Sequence, residues 1–520
     1  MNGMMQMASR MQSQSRARQQ RIEWRLDKNR FPANLDRPMF RASKIQFEMA
    51  DRTVATPYGG IALVHQFAKS IGLPEAIDSN LNLFKIRLPY HESDHVLNIA
   101  LNAMCDGRCL EDMEWRRQDE AYLNLLGALR IPDPTTAGDF CRRFGLDDLK
   151  ALQAAFDESR KKVWAMQPAS FFQEAIIDAD GSLVETYGEC KQGMDVSYKG
   201  LWGYHPLAIT LANTGESLRI VNRSGNRPSS EGAAAQINEC ILLCFAAGFK
   251  KIRLRGDTDF TQTTHLDGWD DQKVTFSFGI DVTPQHQMRA DDLPPTAFQP
   301  LKRPANYQVS TQPRERPDRV KQQIVDERGY RDIRLESESV AETKYRPGAC
   351  SRDYRLIILR KNLQIREKDQ KVFFPSYRYF MYLTNDWTST PEQIVFGANR
   401  RCQQENILAQ LKAVRALHAP LDNLISNNAY MLIVSLAWNL KAWMALALPE
   451  PTGVEKEHQA QQKRDLLTME FRTFVNAIIR VPAQVLQTGR RLVVRLLAWN
   501  RWQPVFLRLV DQLRQQPLVQ

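Results

Sequence analysis

The sequence predicts a multidomain α+β chain, with an α/β core interrupted by a β-strand-rich insertion and helical regions on either side. Three observations predict it. From about 58 to 165 apolar positions recur every three or four residues, and at 174 the period changes to that of strands. From 174 to 282 the signals run strand, two-strand hairpin, helix, strand, strand. A second set of strand-like runs then follows a stretch rich in Pro, Gln and Arg, before helical spacing returns at 389.

Composition bounds the functional classes. A chain of 520 residues has room for several domains and a large core. Its 70 Lys and Arg against 59 Asp and Glu leave a formal charge of +11, which favours a polyanionic partner such as a phosphodiester backbone. Eight scattered cysteines without a framework spacing exclude a disulfide scaffold and suit a reducing cytoplasm. Cys105 with Cys109, and Cys240 with Cys244, stand four apart on helical patterns and read as buried thiols, not zinc ligands. The first residues lack the apolar run of a secretory signal. The apolar stretch 429–448 contains Asn439 and Lys441 and reads as a core helix, so no membrane partner is expected.

In chain order, 1–57 reads as a basic, flexible arm, with seven Lys and Arg against Glu23 and Asp27 in its first 30 residues. Residues 58–168 form a helical domain. Its breaks fall at Gly72-Leu73-Pro74 and at Ile131-Pro132-Asp133-Pro134, and Thr135 or Thr136 caps a short helix bearing Arg142 and Arg143. The first part of the core, 169–283, holds strands at 175–180, 206–212, 216–223, 251–257 and 274–282. A helix at 230–248 is capped by Ser229 or Ser230 and stopped by Gly248. Three antiparallel strands followed by a helical crossover match the order of an RNase H-like core, in which the first and fourth strands lie side by side. The insertion, 284–388, carries runs at 339–346, 354–361 and 377–384. Residues 389–450 complete the core, with Pro391 opening a helix that continues to about 417. The remainder, 451–520, reads as helical and basic, with six Arg against one Asp in 487–516 and Trp499 and Trp502 on one helix face.

Three acids stand out. Asp180 ends the run Ala175–Asp180, Asp257 ends Lys251–Asp257, and Glu405 sits on the helical pattern after the insertion. Carboxylates at the ends of buried strands are costly unless a cation meets them. Two Mg²⁺ (or Mn²⁺) ions bridging a phosphate would do so, since Mg²⁺ favours a few carboxylates with waters and phosphate oxygens. Asp178 shares the strand face of Asp180, so either could be the first ligand; Asp259 competes with Asp257 in the same way. Arg401, Glu405 and Lys412 share one helical stripe, placing two cations beside the acid. Tyr198, Lys199, Trp202 and His205 lie in the connection between the first two strands, where aromatics and a lysine suit an unpaired base or a phosphate.

The segments Ile177–Ser182, Val184–Gly188, Ser197–Leu207, Leu254–Phe260 and Glu405–Lys412 together resemble insertion-sequence transposases of the DDE type, in particular insertion-sequence family 1380. The likeness covers about 60 to 445, and Tyr198-Lys199-Gly200-Leu201-Trp202-Gly203-Tyr204-His205-Pro206-Leu207 is its most specific block. The resemblance implies that Asp180, Asp257 and Glu405 are catalytic and hold two metal ions. It also implies that Arg401 and Lys412 are the cations of a Tyr-Arg-Glu-Lys motif whose Tyr position is here Ala398. It further implies strand cleavage and strand transfer on double-stranded DNA, transposon ends and target, by a bacterial, nucleoid-associated homodimer. Terminal repeats would be bound by the helical domain, including Arg142 and Arg143, and by the basic tail.

Overall fold

Nine strands line up, with one short companion, into a single mixed sheet that organises the molecule. The computed structural model describes residues 2–27, 45–51, 53–188, 190–303, 332–367, 370–371, 376–450, 453, 455–488 and 491–515. In chain order the strands are β1 Ala175–Gly181, β2 Leu207–Leu211, β3 Glu216–Val221, β4 Ile252–Gly256, β5 Thr275–Ile280, β6 Gln299–Pro300, β7 Asp332–Tyr345, β8 Tyr354–Glu367 and β9 Ser376–Thr384. In space they run β6-β7-β8-β9-β5-β4-β1-β2-β3, with Gln370–Lys371 added to β8. β1 is parallel to β4, and β4 to β5; β1–β2, β2–β3 and β5–β9 are antiparallel.

The five strands expected between 174 and 282 are all present, each within a few residues of the predicted run. They form because apolar residues in register fill one face of the central strands: Ile177, Ala179, Leu254, Phe276 and Phe278 are all buried there, while Asp178, Arg255 and Ser277 share the other face. The strands of the insertion do not stand apart. β9 pairs directly with β5, Leu383 against Phe278, so they extend the same sheet.

Helix α1, Ala233–Ala247, connects β3 to β4 and buries Ile237, Cys240, Ile241 and Cys244, a stripe at helical spacing. Its N-cap is Gly232, without a side-chain cap, rather than Ser229 or Ser230; Gly248 ends it in the left-handed conformation as expected. The predicted helix from 389 to 417 is two helices, α2 Pro391–Asn399 and α3 Cys402–Ala413, broken at Arg400 and Arg401. Thr390 and Gln393 form a capping box at the start of α2. The apolar helix α4, Leu424–Ala447, lies buried inside the fold from Ser426 onward. Although long and apolar enough to cross a membrane, it packs against β3 and the helices before the sheet.

Those helices, among them Ile61–Ser70, Glu92–Met104 and Leu146–Ala165, share one continuous apolar core with the sheet and α4. The short helix bearing Arg142 is capped by Asp133, whose side chain accepts from the Thr136 N–H, and not by a threonine. All eight cysteines are free, and Cys105, Cys141, Cys240 and Cys244 are buried.

Two expectations about the ends need correction. The basic arm is not wholly flexible: Asn2–Leu26 is helical and docks on the C-terminal region, Ser15 Oγ donating to Gln503 Oε1 at 2.7 Å. Residues 28–44 of that arm lie outside the described residues. The tail is not all helix either. Ala483–Thr488 and Arg491–Leu496 form a hairpin, to which Ala55–Thr56 adds a third strand. The β-branched residues Val485, Val493 and Val494 account for it. Trp499 and Trp502 consequently precede the last helix, Gln503–Gln515, and do not form a face on it.

Candidate active site

The parallel register of β1 and β4 builds the site. Asp178 is paired with Arg255 across these strands, and extending the register by two sets Asp180 beside Asp257 at the same strand ends. Neighbouring strands lie about 4.8 Å apart, so the two carboxylates share one small volume. Asp257 directly follows β4 and caps the turn Thr258–Phe260, its Oδ1 accepting from the Asp259 N–H at 3.1 Å. β5 must approach this turn closely, and Gly279 permits it: a Cβ there would lie 3.1 Å from the Thr258 nitrogen.

Asp178 and Asp180 separate cleanly. Asp178 is fully buried, and Arg255 grips it with two hydrogen bonds of 2.7 Å, Nε to Oδ1 and Nη2 to Oδ2. The same guanidinium reaches the Gly397 carbonyl at 3.0 Å, tying α2 to the sheet. Asp178 is therefore a structural anchor. Asp180 faces the open edge, where Arg401 Nη1 lies 3.1 Å from its Oδ2.

The electrostatics are those of an acid-rich edge incompletely compensated. Burial pushes the Asp180 carboxyl up to about 6; Arg401 opposes this, and the negative charge of Asp257 adds to it. Asp257 is also raised, first by burial, with Arg401 pulling down and Asp259 and Asp281 pushing up. Arg401 thus serves both carboxylates at once. Beside them opens a cleft of ≈ 310 Å³ whose lining includes Asp257, Asp281, Tyr379, Tyr382, Asn399 and Arg401.

Glu405 is placed differently. It is exposed, one turn beyond Arg401, on a helix whose orientation is set by its neighbour Gln404. Gln404 is fully buried; its Oε1 accepts from Thr210 Oγ1 and its Nε2 donates to the Ala208 carbonyl, both on β2. Successive residues of a helix point about 100° apart, so anchoring Gln404 inward turns Glu405 outward. Among the described residues no three His, Cys, Asp or Glu side chains gather closely enough to hold a metal ion. Two aspartates with raised pKa values, sharing one guanidinium, nevertheless have the donor chemistry that a hard divalent cation takes.

The remaining candidates fall into three groups. Tyr198, Lys199 and Trp202 are exposed on a small ribbon formed by Val184–Glu185, Asp195–Val196 and Trp202–Tyr204. Gly203 is required there, since a Cβ would lie 2.1 Å from the Val184 carbonyl oxygen. Lys412 is exposed at the far end of α3, and desolvation followed by the like charge of Lys199 lowers its pKa, so ribbon and helix share a basic patch. His205 does not present itself to a ligand. It is buried, its Nδ1 lies 2.9 Å from the Arg227 carbonyl, and its Nε2 abuts Gly181. Arg142 is already paired with Asp139 and Asp422, while Arg143 lies 5.3 Å from the centre of the Phe84 ring.

The family model for the transposase DDE domain, group 1, matches residues 38–518. The chain belongs to the DDE transposase family. No curated protein matches this transposase sequence. Among solved structures, the cryo-EM structure of the piggyBac transposase synaptic complex with hairpin DNA matches at 11% identity and a TM-score of 0.32, covering 82% of this chain and 85% of that one. Sequence reasoning missed Arg255, Gln404 and Asp281 in this transposase. Arg255 alone left a signal: it stands two before Asp257 as Asp178 stands two before Asp180.

Proposed function

We propose that this transposase cuts and joins DNA strands at an RNase H-like core, with Asp180, Asp257 and Glu405 as the ligands of two Mg²⁺ or Mn²⁺ ions. One observation carries the reading: two half-buried carboxylates emerge side by side from adjacent parallel strands, with one guanidinium 3.1 Å from the first and its charge felt by both. The strand order β3-β2-β1-β4-β5 supports the RNase H-like reading, being the order in which the first and fourth strands meet.

Bound metal would lower the nucleophile's pKa and stabilise the leaving oxygen at phosphorus. The chain's own residues supply the rest. Asp180 and Asp257 provide fixed anionic oxygens. Arg401, which lies on Asp180, would be available to a phosphate oxygen, and Glu405, one turn further along α3, would supply the third carboxylate. Tyr198, Lys199, Trp202 and Lys412 hold a DNA end beside the acids. Terminal repeats of an insertion sequence are the specific substrate, and a homodimer pairs two ends.

Cleavage and strand-transfer assays on a fragment bearing the element's end test the proposal. Asp257→Ala should bind that fragment as wild type does, yet cut it about 10²–10³-fold more slowly, the scale set by removing a group that stabilises transition-state charge. Equal cutting by the two proteins would refute the assignment. Cleavage without joined products would favour a nuclease on the same core.

A further inference from the structure

The N-terminal helix and the segment that follows the C-terminal hairpin form a groove of ≈ 700 Å³, lined by Arg18, Arg21, Trp24, Arg25, Leu497 and Trp499 among others, and sharing no lining residue with the cleft beside Asp257. We propose that this groove is a separate contact surface for the backbone of duplex DNA, an inference that rests on DNA being the substrate.

The charge is one-sided. Arg18, Arg21 and Arg25 stand three and four residues apart, so they form a single stripe on helix Asn2–Leu26. Glu23 is the sole acid on that helix, and its carboxylate accepts from Gln19. Arg491, Arg495 and Arg501 are exposed on and just after the neighbouring hairpin. Docking fixes the geometry: Arg18 Nη1 donates to the Leu496 carbonyl at 2.6 Å, leaving Arg21 and Arg25 exposed on the groove. The stripe rises about 10 Å from Arg18 to Arg25. Phosphates advance along one DNA strand by ~3.4 Å of helix axis, so the stripe spans about three of them. Arginine forks, with no acid among the groove's lining residues, recognise phosphate oxygens and carry no base readout.

The test is the salt dependence of binding to a duplex of arbitrary sequence. Full-length protein is used without divalent metal, so that the result does not depend on the acidic site. Arg21→Ala with Arg25→Ala should make the slope of log affinity against log salt shallower by about 1.8, from ~0.9 per lost phosphate contact. Arg21→Lys with Arg25→Lys should retain the slope, and an unchanged melting temperature in both variants shows that the helix still docks. An unchanged slope in the alanine variant overturns the proposal, as does loss of binding to polyglutamate with duplex affinity unmoved. A shallower slope in a protein that never cuts DNA would keep the groove and remove only the catalytic reading.

Discussion

Asp178 and Asp180 lie two residues apart on one strand, and the side chain opposite each decides its role. A carboxylate gripped by two guanidinium hydrogen bonds is neutralised, and Asp178, fully buried besides, is closed to a metal approaching from solvent. Asp180 keeps a single cationic partner at an open edge, so its proton is the one that a metal must displace. Its folded pKa of about 6 lies above the ordinary 3.8, so the metal-free fold binds an extra proton between these values. Stability of the metal-free protein therefore declines as pH rises through that window. Mg²⁺ needs the ionised form, so its affinity should fall steeply below about pH 6. Thermal shift against Mg²⁺ at pH 5 to 8 measures this, and a flat profile would exclude Asp180 as a ligand. Arg401→Ala should tighten Mg²⁺ binding at pH 8, where the carboxylates are ionised, by about tenfold, the equivalent of ~1.4 kcal/mol. Weakened binding would show that Arg401 orders the site instead of competing for it. The acids were legible in the sequence because charges closing apolar runs are conspicuous. Their partners were not, because Arg255 and Arg401 look like any surface arginine until strand register is known.

At the scale of elements, α4 shows how an apolar helix uses its few polar residues. β3 is an edge strand, and its outward N–H and C=O groups would otherwise be orphaned beneath the helix. Asn439 Oδ1 accepts from the Ser217 N–H and its Nδ2 donates to the Ser217 carbonyl, both at 2.9 Å. Asn428, three turns earlier, does the same for the Asn222 N–H at 3.0 Å and the Ile220 carbonyl at 3.1 Å. The helix thus completes the sheet with side-chain amides. Asn439→Ala strips the buried Ser217 N–H of its partner, while Arg160 Nη2 still donates to the Ser217 carbonyl at 2.7 Å, and should cost about 1–3 kcal/mol for the one orphaned group. Urea denaturation measures it, and a loss under 1 kcal/mol would mean that water replaces the amide. Period and propensity disclosed the five core strands and α4 itself. The pairing of β9 with β5 escaped, because strands about a hundred residues apart leave no local mark of which edge they join. The break before α3 escaped too, since Arg400 and Arg401 are good helix formers and tertiary anchoring of Gln404 sets that boundary.

Across the whole molecule, one buried carboxylate joins parts of the chain that the sequence separates into a helical domain and a core. Glu216, fully buried at the start of β3, accepts from Arg160 Nε at 3.1 Å and Trp443 Nε1 at 2.6 Å on one oxygen. Its other oxygen accepts from Trp164 Nε1 at 2.9 Å and Thr214 Oγ1 at 2.6 Å. Arg160, also fully buried, is shared with Asp157, which pairs in turn with Arg219 at 2.8 Å. Helix Leu146–Ala165, the β2–β3 hairpin and α4 therefore meet at one satisfied ionic network. In the sequence these residues read as ordinary surface charges, so a separable helical unit was the natural expectation. Removing one member of such a network strands the other charges in a low-dielectric interior, a loss of about 3–5 kcal/mol. Glu216→Ala should show that loss in chemical denaturation, whereas Glu216→Gln, which keeps the shape and one of the two acceptor oxygens, should lose less. Near- and far-ultraviolet dichroism should move in one transition in the wild type, because helices and sheet share the network and the core around it. Two resolved transitions, with Glu216→Ala shifting only one of them, would mean that the helices before the sheet fold as a unit of their own.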